Sequence, residues 1–467
     1  MIARFFKNLS VRWSEEDGYR DILSIAFPLI LSTGSWSLQH FIDRMFLTWY
    51  SGEAIAASMP AGMVNWTIAS LFVGTASYVN TFVAQYYGAN RFDRIGPSVW
   101  QGFYLSIVVA LSALIIYPFS DTFFRFVGHA PEVQHLESIY FKILLIGTPL
   151  MVISNAATGF FSGRGKTWTI MWVNFVGTGV NIVLDYLLIF GKFGFPEMGI
   201  KGAGLATVGF ALISTSIFLG LMFRPRYNKK YRTVSGWKFD YNLFGRLMRF
   251  GLPTGLQFML EVIAFAIFIL LVGVLGTNEL AASNISFNIN SLAFLPMYGM
   301  AVAVAVIVGQ HLGENKPLAA EKSTWAAFHL SLFYFCLLAV GYFFFADLFL
   351  LPFGWHADAA EFQMLKKIAK TLLKFVAIYS IFDAFNMVFS AALKGAGDTR
   401  FVATASILLS WILMLIPSFI SLYIFRAGLN WLWAFVTLYI FGLGLIFYWR
   451  FLKGPWKTMR VIEDDDF

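Results

Sequence analysis

Charge is scarce in this chain. Only 13% of its 467 residues are Asp, Glu, Lys or Arg, about half the share a soluble protein carries. A water-facing surface cannot be built from so little, which excludes a soluble globular domain. Cysteine is scarcer still: Cys336 stands alone, so neither an intrachain disulfide nor a thiolate metal cluster can form. The six histidines show no metal-ligand spacing, and His40 and His329 lie inside apolar runs as packing residues. No leader is expected either. The first 21 residues have neither the apolar core nor the small-residue cleavage site of a signal peptide. The first apolar run is therefore expected to be the first topogenic element. Gly163-Arg-Gly-Lys-Thr167 imitates a phosphate loop, but the spacing requires glycine at position 160, which is Phe160. It reads as a turn, and no ATP-driven mechanism follows. No nucleophile or metal constellation supports a membrane enzyme such as an acyltransferase, so the chain is expected not to be an enzyme and to need no cofactor.

What the chain has is apolar length. Hydrophobic residues make up 58% of it, and Phe alone occurs 52 times. Twelve runs approach the roughly 20 residues that cross a bilayer. They fall near 22–49, 56–86, 98–119, 137–161, 168–191, 202–223, 246–274, 279–311, 322–346, 363–393, 401–425 and 430–452. The expected class is an all-α polytopic membrane protein. Its parts are an N-terminal segment 1–21, a six-helix bundle 22–223, a basic linker 224–245, a second bundle 246–452 and a tail 453–467. The side holding both termini and the even-numbered loops carries 24 Lys and Arg against 9 on the other, with Arg44 inside the first run. By the positive-inside rule both termini are cytoplasmic, in a multi-pass protein of the cell inner membrane. The stretch Arg224-Pro-Arg-Tyr-Asn-Lys-Lys-Tyr-Arg232 is then a linker held inside by its charge, not a nucleic-acid patch.

The chain repeats itself. At an offset of 225, Pro28 pairs with Pro253, Ala56-Ala57-Ser58 with Ala281-Ala282-Ser283, Asn65 with Asn290, and Trp100 with Trp325. Val83-Ala-Gln-Tyr-Tyr-Gly-Ala-Asn90 pairs with Val308-Gly-Gln-His-Leu-Gly-Glu-Asn315 at the same offset. Later, Gly163-Arg-Gly-Lys-Thr167 pairs with Gly395-Ala-Gly-Asp-Thr399 at 232. Six spans per copy make these parallel repeats about an axis along the membrane normal, an arrangement of transporters that rock one half against the other.

Acids break the repeat. Asp43 lies late in the first span, Asn181 and Asp185 late in the fifth, Glu261 in the seventh and Asp383 in the tenth. Their counterparts are Phe268 for Asp43, Pro417 for Asp185, Trp36 for Glu261 and Met151 for Asp383. A charge at the bilayer centre costs about 2.5–3.5 kcal/mol on insertion scales, and the other copy does without these carboxylates, which favours function over scaffold. Asp43 and Asp185 are about 20 and 17 residues into outward-running helices at roughly 1.5 Å each. Thr207 returns about one turn below the same face. Asn181 and Asp185, four apart, share a helical face. The two carboxylates, the amide and the hydroxyl can hold Na⁺, or the acids can share a proton. Glu261 and Asp383 fall near the midplane and suit a cation or a cationic substrate. The bland alternative is that each buried acid merely bonds to a Ser, Asn or Tyr on the next helix.

These residues resemble the multidrug and toxic compound extrusion (MATE) family over nearly the whole chain. The resemblance is carried by Asn181-Ile-Val-Leu-Asp-Tyr-Leu-Leu-Ile-Phe-Gly191, Gly199-Ile-Lys-Gly-Ala-Gly-Leu-Ala-Thr207, the Glu261 segment, Asp383 and Leu393-Lys-Gly-Ala-Gly-Asp-Thr-Arg400. It implies two pseudo-symmetric six-helix bundles, a central drug cavity, and export of organic cations in exchange for Na⁺ or H⁺. It also implies ion coupling at Asp43, Asn181, Asp185 and Thr207, with Na⁺ at the first three, and ion or substrate binding at Glu261 and Asp383. The chain has both sets, so the resemblance does not choose between them. Phe46-Leu-Thr-Trp-Tyr50 replaces the family's usual glycine after the first acid, and Arg44 is an unusual neighbour. Expected partners are small cationic or amphipathic molecules and membrane lipid, with no nucleic acid, and the protein is expected to act as a monomer. A flippase for lipid-linked saccharides is the alternative, but it needs a basic lining for pyrophosphate, and the intramembrane charges here are mainly acidic.

Overall fold

A computed structural model of the chain describes Trp13, Glu15, residues 18–354 and residues 359–463. Most of the expected N-terminal segment and residues 464–467 of the expected tail lie outside the described residues. Among the described residues, twelve helices are long and apolar enough to cross a membrane. They are α1 (Tyr19–Tyr50), α2 (Gly52–Gly88), α3 (Phe92–Val127), α4 (Pro131–Ser162), α5 (Thr167–Phe190) and α6 (Ile200–Met222). A short helix, Pro225–Tyr231, leads to α7 (Tyr241–Leu275), α8 (Thr277–Gly313), α9 (Pro317–Phe344), α10 (Phe362–Ala396), α11 (Thr399–Tyr423) and α12 (Leu429–Lys453). The expected spans are met within a few residues, and the helices mostly overrun them, because polar turns at the ends stay helical beyond the hydrocarbon. Within hydrocarbon only a helix or a closed barrel satisfies its own backbone, and no strand occurs among the described residues.

The described chain forms two compact units. One holds Leu31–Met259 with Val461, Ile462 and Glu463; the other holds the described residues up to Ile30 with Leu260–Arg460. Both internal boundaries fall inside long helices, α1 and α7, which therefore contribute to both units. In the first unit α4 packs against α2, α3 and α6, and in the second α10 packs against α8, α9 and α12. These are the same partners displaced by six helices, so the duplication in the sequence is a duplication of packing.

The turns repeat as well. Asn90 and Asn315, 225 apart, both adopt the left-handed conformation, which Asn tolerates better than most residues. Around them Arg91 N–H donates to the Tyr86 carbonyl at 2.9 Å, and Lys316 N–H to the His311 carbonyl at 2.8 Å. Between α4 and α5, Gly165 has φ +72°, and between α10 and α11, Gly397 has φ +113°, conformations open to glycine at little cost. Lys166 N–H closes the first turn onto Phe161 O, and Asp398 N–H closes the second onto Leu393 O. The segment that imitates a phosphate loop is thus a turn in both copies. Its Arg164 is buried, with the guanidinium 3.6 Å from the Phe160 ring centre and 4.8 Å from those of Tyr227 and Tyr231. The linker helix is pinned by that cation–π cage.

The end of the chain also belongs to the first unit. Beyond α12, Trp456 stacks on Phe451 at 4.8 Å. Val461 N–H then donates to Gln85 Oε1 at 2.8 Å, and the Glu463 carboxylate accepts from Tyr86 Oη at 2.6 Å and Arg94 Nη2 at 2.8 Å. Arg91 and Arg246 stand 3.5 and 3.4 Å from the same carboxylate.

Candidate functional site

In the first unit α1 and α5 run parallel and in register. Asn174 Nδ2 donates to Ser32 Oγ at 2.6 Å. Further along, Phe46 lies 6.1 Å from Tyr186 and 5.8 Å from Phe190, and Tyr50 lies 6.3 Å from Phe190, between ring centres. Asp43 and Asp185, near the same end, bring their carboxyls side by side. On α5 the buried residues Val173, Gly177, Asn181, Asp185 and Ile189 recur every fourth position, so one stripe faces the interior, and the amide and the acid lie on it. Gly177 lets α6 approach: a Cβ there would stand 2.4 Å from Ser214 Oγ.

Asn181 and Asp185 are fully enclosed and Asp43 is 7% exposed. Both Asp185 oxygens, Asp43 Oδ1 and both Asn181 amide atoms are buried with no protein hydrogen-bond partner. Tyr140 on α4 is within reach of both carboxylates and of the Thr207 hydroxyl, and that hydroxyl itself donates to the Ala203 carbonyl at 3.1 Å. His40, one turn before Asp43, has its Nδ1 4.0 Å from Oδ2, with its ring half exposed. Arg44 is exposed. The contrast with Glu137 is instructive: that fully buried carboxylate of α4 is paired to His129 at 2.7 Å, as a structural acid should be. Among the described residues, the Asp43–Asp185 pair has only the edge of His40 as a counter-charge at ion-pair range.

The corresponding place in the other unit is built differently. Residues Ser410–Leu415 of α11 form a π-helical turn, followed after Ile416 by Pro417, the counterpart of Asp185. Proline lacks the N–H that would close an ordinary turn there, and a π-bulge absorbs the misfit.

The MatE family model matches residues 28–187 and again 253–420, so it finds each copy separately, beginning at Pro28 and at Pro253. The chain belongs to the MatE family. The probable multidrug resistance protein NorM of Thermotoga maritima is 25% identical over 464 residues, covering 98% of this chain and 97% of that protein. Among solved structures, a multidrug resistance MATE family transporter of the MOP superfamily in an outward-facing conformation matches with a TM-score of 0.85 at 20% identity, covering 93% of this chain and 95% of that one. A MOP superfamily transporter from Pyrococcus furiosus Vc1, whose binding pocket has reversed polarity, matches with a TM-score of 0.82 at 20% identity, covering 95% and 97%.

The second expected cluster of this MatE protein lies in its other unit. Asp383 is 4% exposed and neighbours Asn386 and Tyr379. Tyr439 on α12 is near enough to sense both Glu261 and Asp383. Lys394, in the last turn of α10, is partly buried and interacts with Glu261. The sequence places Lys394 in a loop; the helix runs on to Ala396, and the lysine becomes a counter-charge to the acid. Sequence reasoning also passes over Tyr140, a neutral residue that only the packing brings to the site. In the first unit Trp36, Trp66 and Phe258 form a continuous aromatic row, with centres 5.4 and 5.8 Å apart.

Proposed function

We propose that this MatE transporter is a secondary-active antiporter that exports organic cations or drugs from the cytoplasm in exchange for Na⁺ or H⁺. The coupling site is Asp43, Asn181, Asp185 and Thr207. The observation that carries the reading is the pair of adjoining, enclosed carboxylates. Adjoining like charges repel, by about 4 kcal/mol for a separation of roughly 4 Å at an effective dielectric of 20, so the pair is stable only with a proton or a cation between them. Loading and unloading that charge is what an antiporter needs, since a ligand shifts an alternating-access equilibrium only through its differential affinity for the two states. One elementary charge moving through 100 mV releases about 2.3 kcal/mol, which supports uphill export. Glu261, answered in part by Lys394, and Asp383 hold the cationic end of the substrate in this reading, and the row Trp36, Trp66 and Phe258 offers flat apolar surface to its rings. The basic side faces the cytoplasm, each chain carries both units, and a monomer is sufficient.

The test is uptake of a fluorescent organic cation into inverted vesicles, with a pH gradient and a Na⁺ gradient imposed separately. Wild type is expected to respond to at least one of them. Asp43→Asn and Asp185→Asn are expected to insert normally and to lose the response. Gradient-driven uptake at the wild-type rate by the double variant refutes the coupling site.

A further inference from the structure

The register of α1 on α5 reaches beyond the residues placed in the site above. Ser32 with Asn174, and Asp43 with Asp185, are both 142 positions apart. Between these two contacts the same register sets Gln39 opposite Asn181. Gln39 lies on the inward stripe of α1, with Ser32, Ser35 and Asp43 at spacings of three and four, all buried. It is 1% exposed, and its Oε1 is enclosed without a partner, as are both amide atoms of Asn181. Two facing side-chain amides ordinarily satisfy one another, and an unsatisfied buried polar group costs about 1–3 kcal/mol. Gln39 Oε1 and both Asn181 amide atoms are nonetheless enclosed with their bonds unmade, one turn along their helices from Asp43 and Asp185, whose carboxylate oxygens Asp43 Oδ1 and Asp185 Oδ1 and Oδ2 are in the same condition.

We propose that Gln39 is a fifth oxygen ligand of the acid-pair site, beside Asp43, Asn181, Asp185 and Thr207, and that it selects a desolvated alkali-metal cation such as Na⁺ over a proton. The inference rests on the antiport reading and deepens it. A proton needs only the acid pair. A bare cation needs enough oxygens to replace its water shell, and carboxylate and amide oxygens are the ligands that hard cations take. Gln39 supplies the neutral oxygen on the α1 side that Asn181 supplies on the α5 side.

The experiment compares wild type, Gln39→Leu and Asp185→Asn. Each purified protein is melted in NaCl and in choline chloride, and export is then measured in vesicles under separate Na⁺ and pH gradients. Wild type is expected to be stabilised by Na⁺, because a ligand that binds only the folded state raises its stability. Gln39→Leu is expected to need at least about tenfold more Na⁺ for the same shift, and its ratio of Na⁺-driven to pH-driven export should fall by a similar factor. In choline it should melt no lower than wild type, since leucine removes an unsatisfied amide; a residue serving only the scaffold would lower that melting point. Equal Na⁺ dependence in wild type and Gln39→Leu, with Asp185→Asn inactive, overturns the role of Gln39 and leaves the antiport reading standing. So does a wild type driven by pH and indifferent to Na⁺. Unchanged ion responses in Asp185→Asn overturn both.

Discussion

The tail offers the prediction that can be worked furthest in numbers. Burial alone would push the Glu463 carboxyl up, but the hydrogen bonds from Tyr86 and Arg94, with the Arg94 charge, outweigh it and hold the carboxyl down at about 2, against an ordinary 4.5. At 1.36 kcal/mol per pH unit that interval is worth about 3 kcal/mol. The side chain is 27% exposed, and solvent screening reduces the figure to about 2 kcal/mol. Glu463→Gln keeps the shape and one acceptor but removes the charge, so the docked segment should open about 30-fold more often. The reporter is the Val461 amide, whose N–H is held by Gln85 Oε1. At pH 7 its hydrogen exchange in the variant should be about 30-fold faster than in wild type, and less so in high salt. The pH dependence has a fixed sign. Because docking depresses the carboxyl, its contribution is complete above 4.5 and disappears as pH falls from there toward 2. Wild-type protection should therefore decline through that window while the variant stays flat. Equal exchange at pH 7, or parallel pH profiles, would refute the reasoning.

Three further outcomes follow from the packing. Gly255 on α7 meets α2 so closely that a Cβ would stand 2.1 Å from Leu71 O and 2.3 Å from Thr75 Oγ1; Gly255→Ala should lower stability by about 1–3 kcal/mol, read as a drop in melting temperature. Arg164→Ala should free the Pro225–Tyr231 helix by removing the cation from its aromatic cage, at a cost of about 2 kcal/mol, read as faster proteolysis of the linker. Lys394→Met should lower the stability of the second unit by removing a positive charge near Glu261, while Lys394→Met with Glu261→Gln should recover most of the loss, read as melting temperatures in a double-mutant cycle.

The legible parts of this protein were those written in local pattern. Twelve apolar runs give twelve helices because hydrocarbon leaves the backbone no other solution for this composition. The copies are legible because Pro28 and Pro253, and Asn90 and Asn315, answer the same steric demand twice. Asp43, Asp185, Glu261 and Asp383 stand out because a carboxylate in an apolar run is costly and therefore conspicuous. Gln39, Tyr140 and Ser32 are not conspicuous. A neutral polar residue in a membrane helix is common, and only the register of α1 on α5, and the packing of α4 beside them for Tyr140, gives these three a meaning. Lys394 was hidden by a helix end three residues further on than the apolar run suggests. Glu463 stands in an acidic, unremarkable tail, and nothing local announces the tyrosine and arginines that receive it, more than 200 residues away in sequence.

The asymmetry of the two copies explains why the duplicated scaffold can carry two different kinds of site. Packing around α4 and around α10 is conserved between the copies, so the backbone frame is the shared part. Where the first copy has Asp185 on an ordinary helix, the second has Pro417 behind a π-turn, and a proline there cannot present a carboxylate to the neighbouring helix. Where the second copy sets Lys394 against Glu261, the first has Ser162 and Trp36. The first unit thus keeps two acids beyond full ion-pair contact with any base, and the second keeps an acid already half answered by a lysine. An enclosed acid pair suits a small ion that must be bound and released at each turnover. On the antiport reading, a site with its own lysine suits a cation that has only to compete with that lysine for Glu261, and would hold it more weakly and let it go.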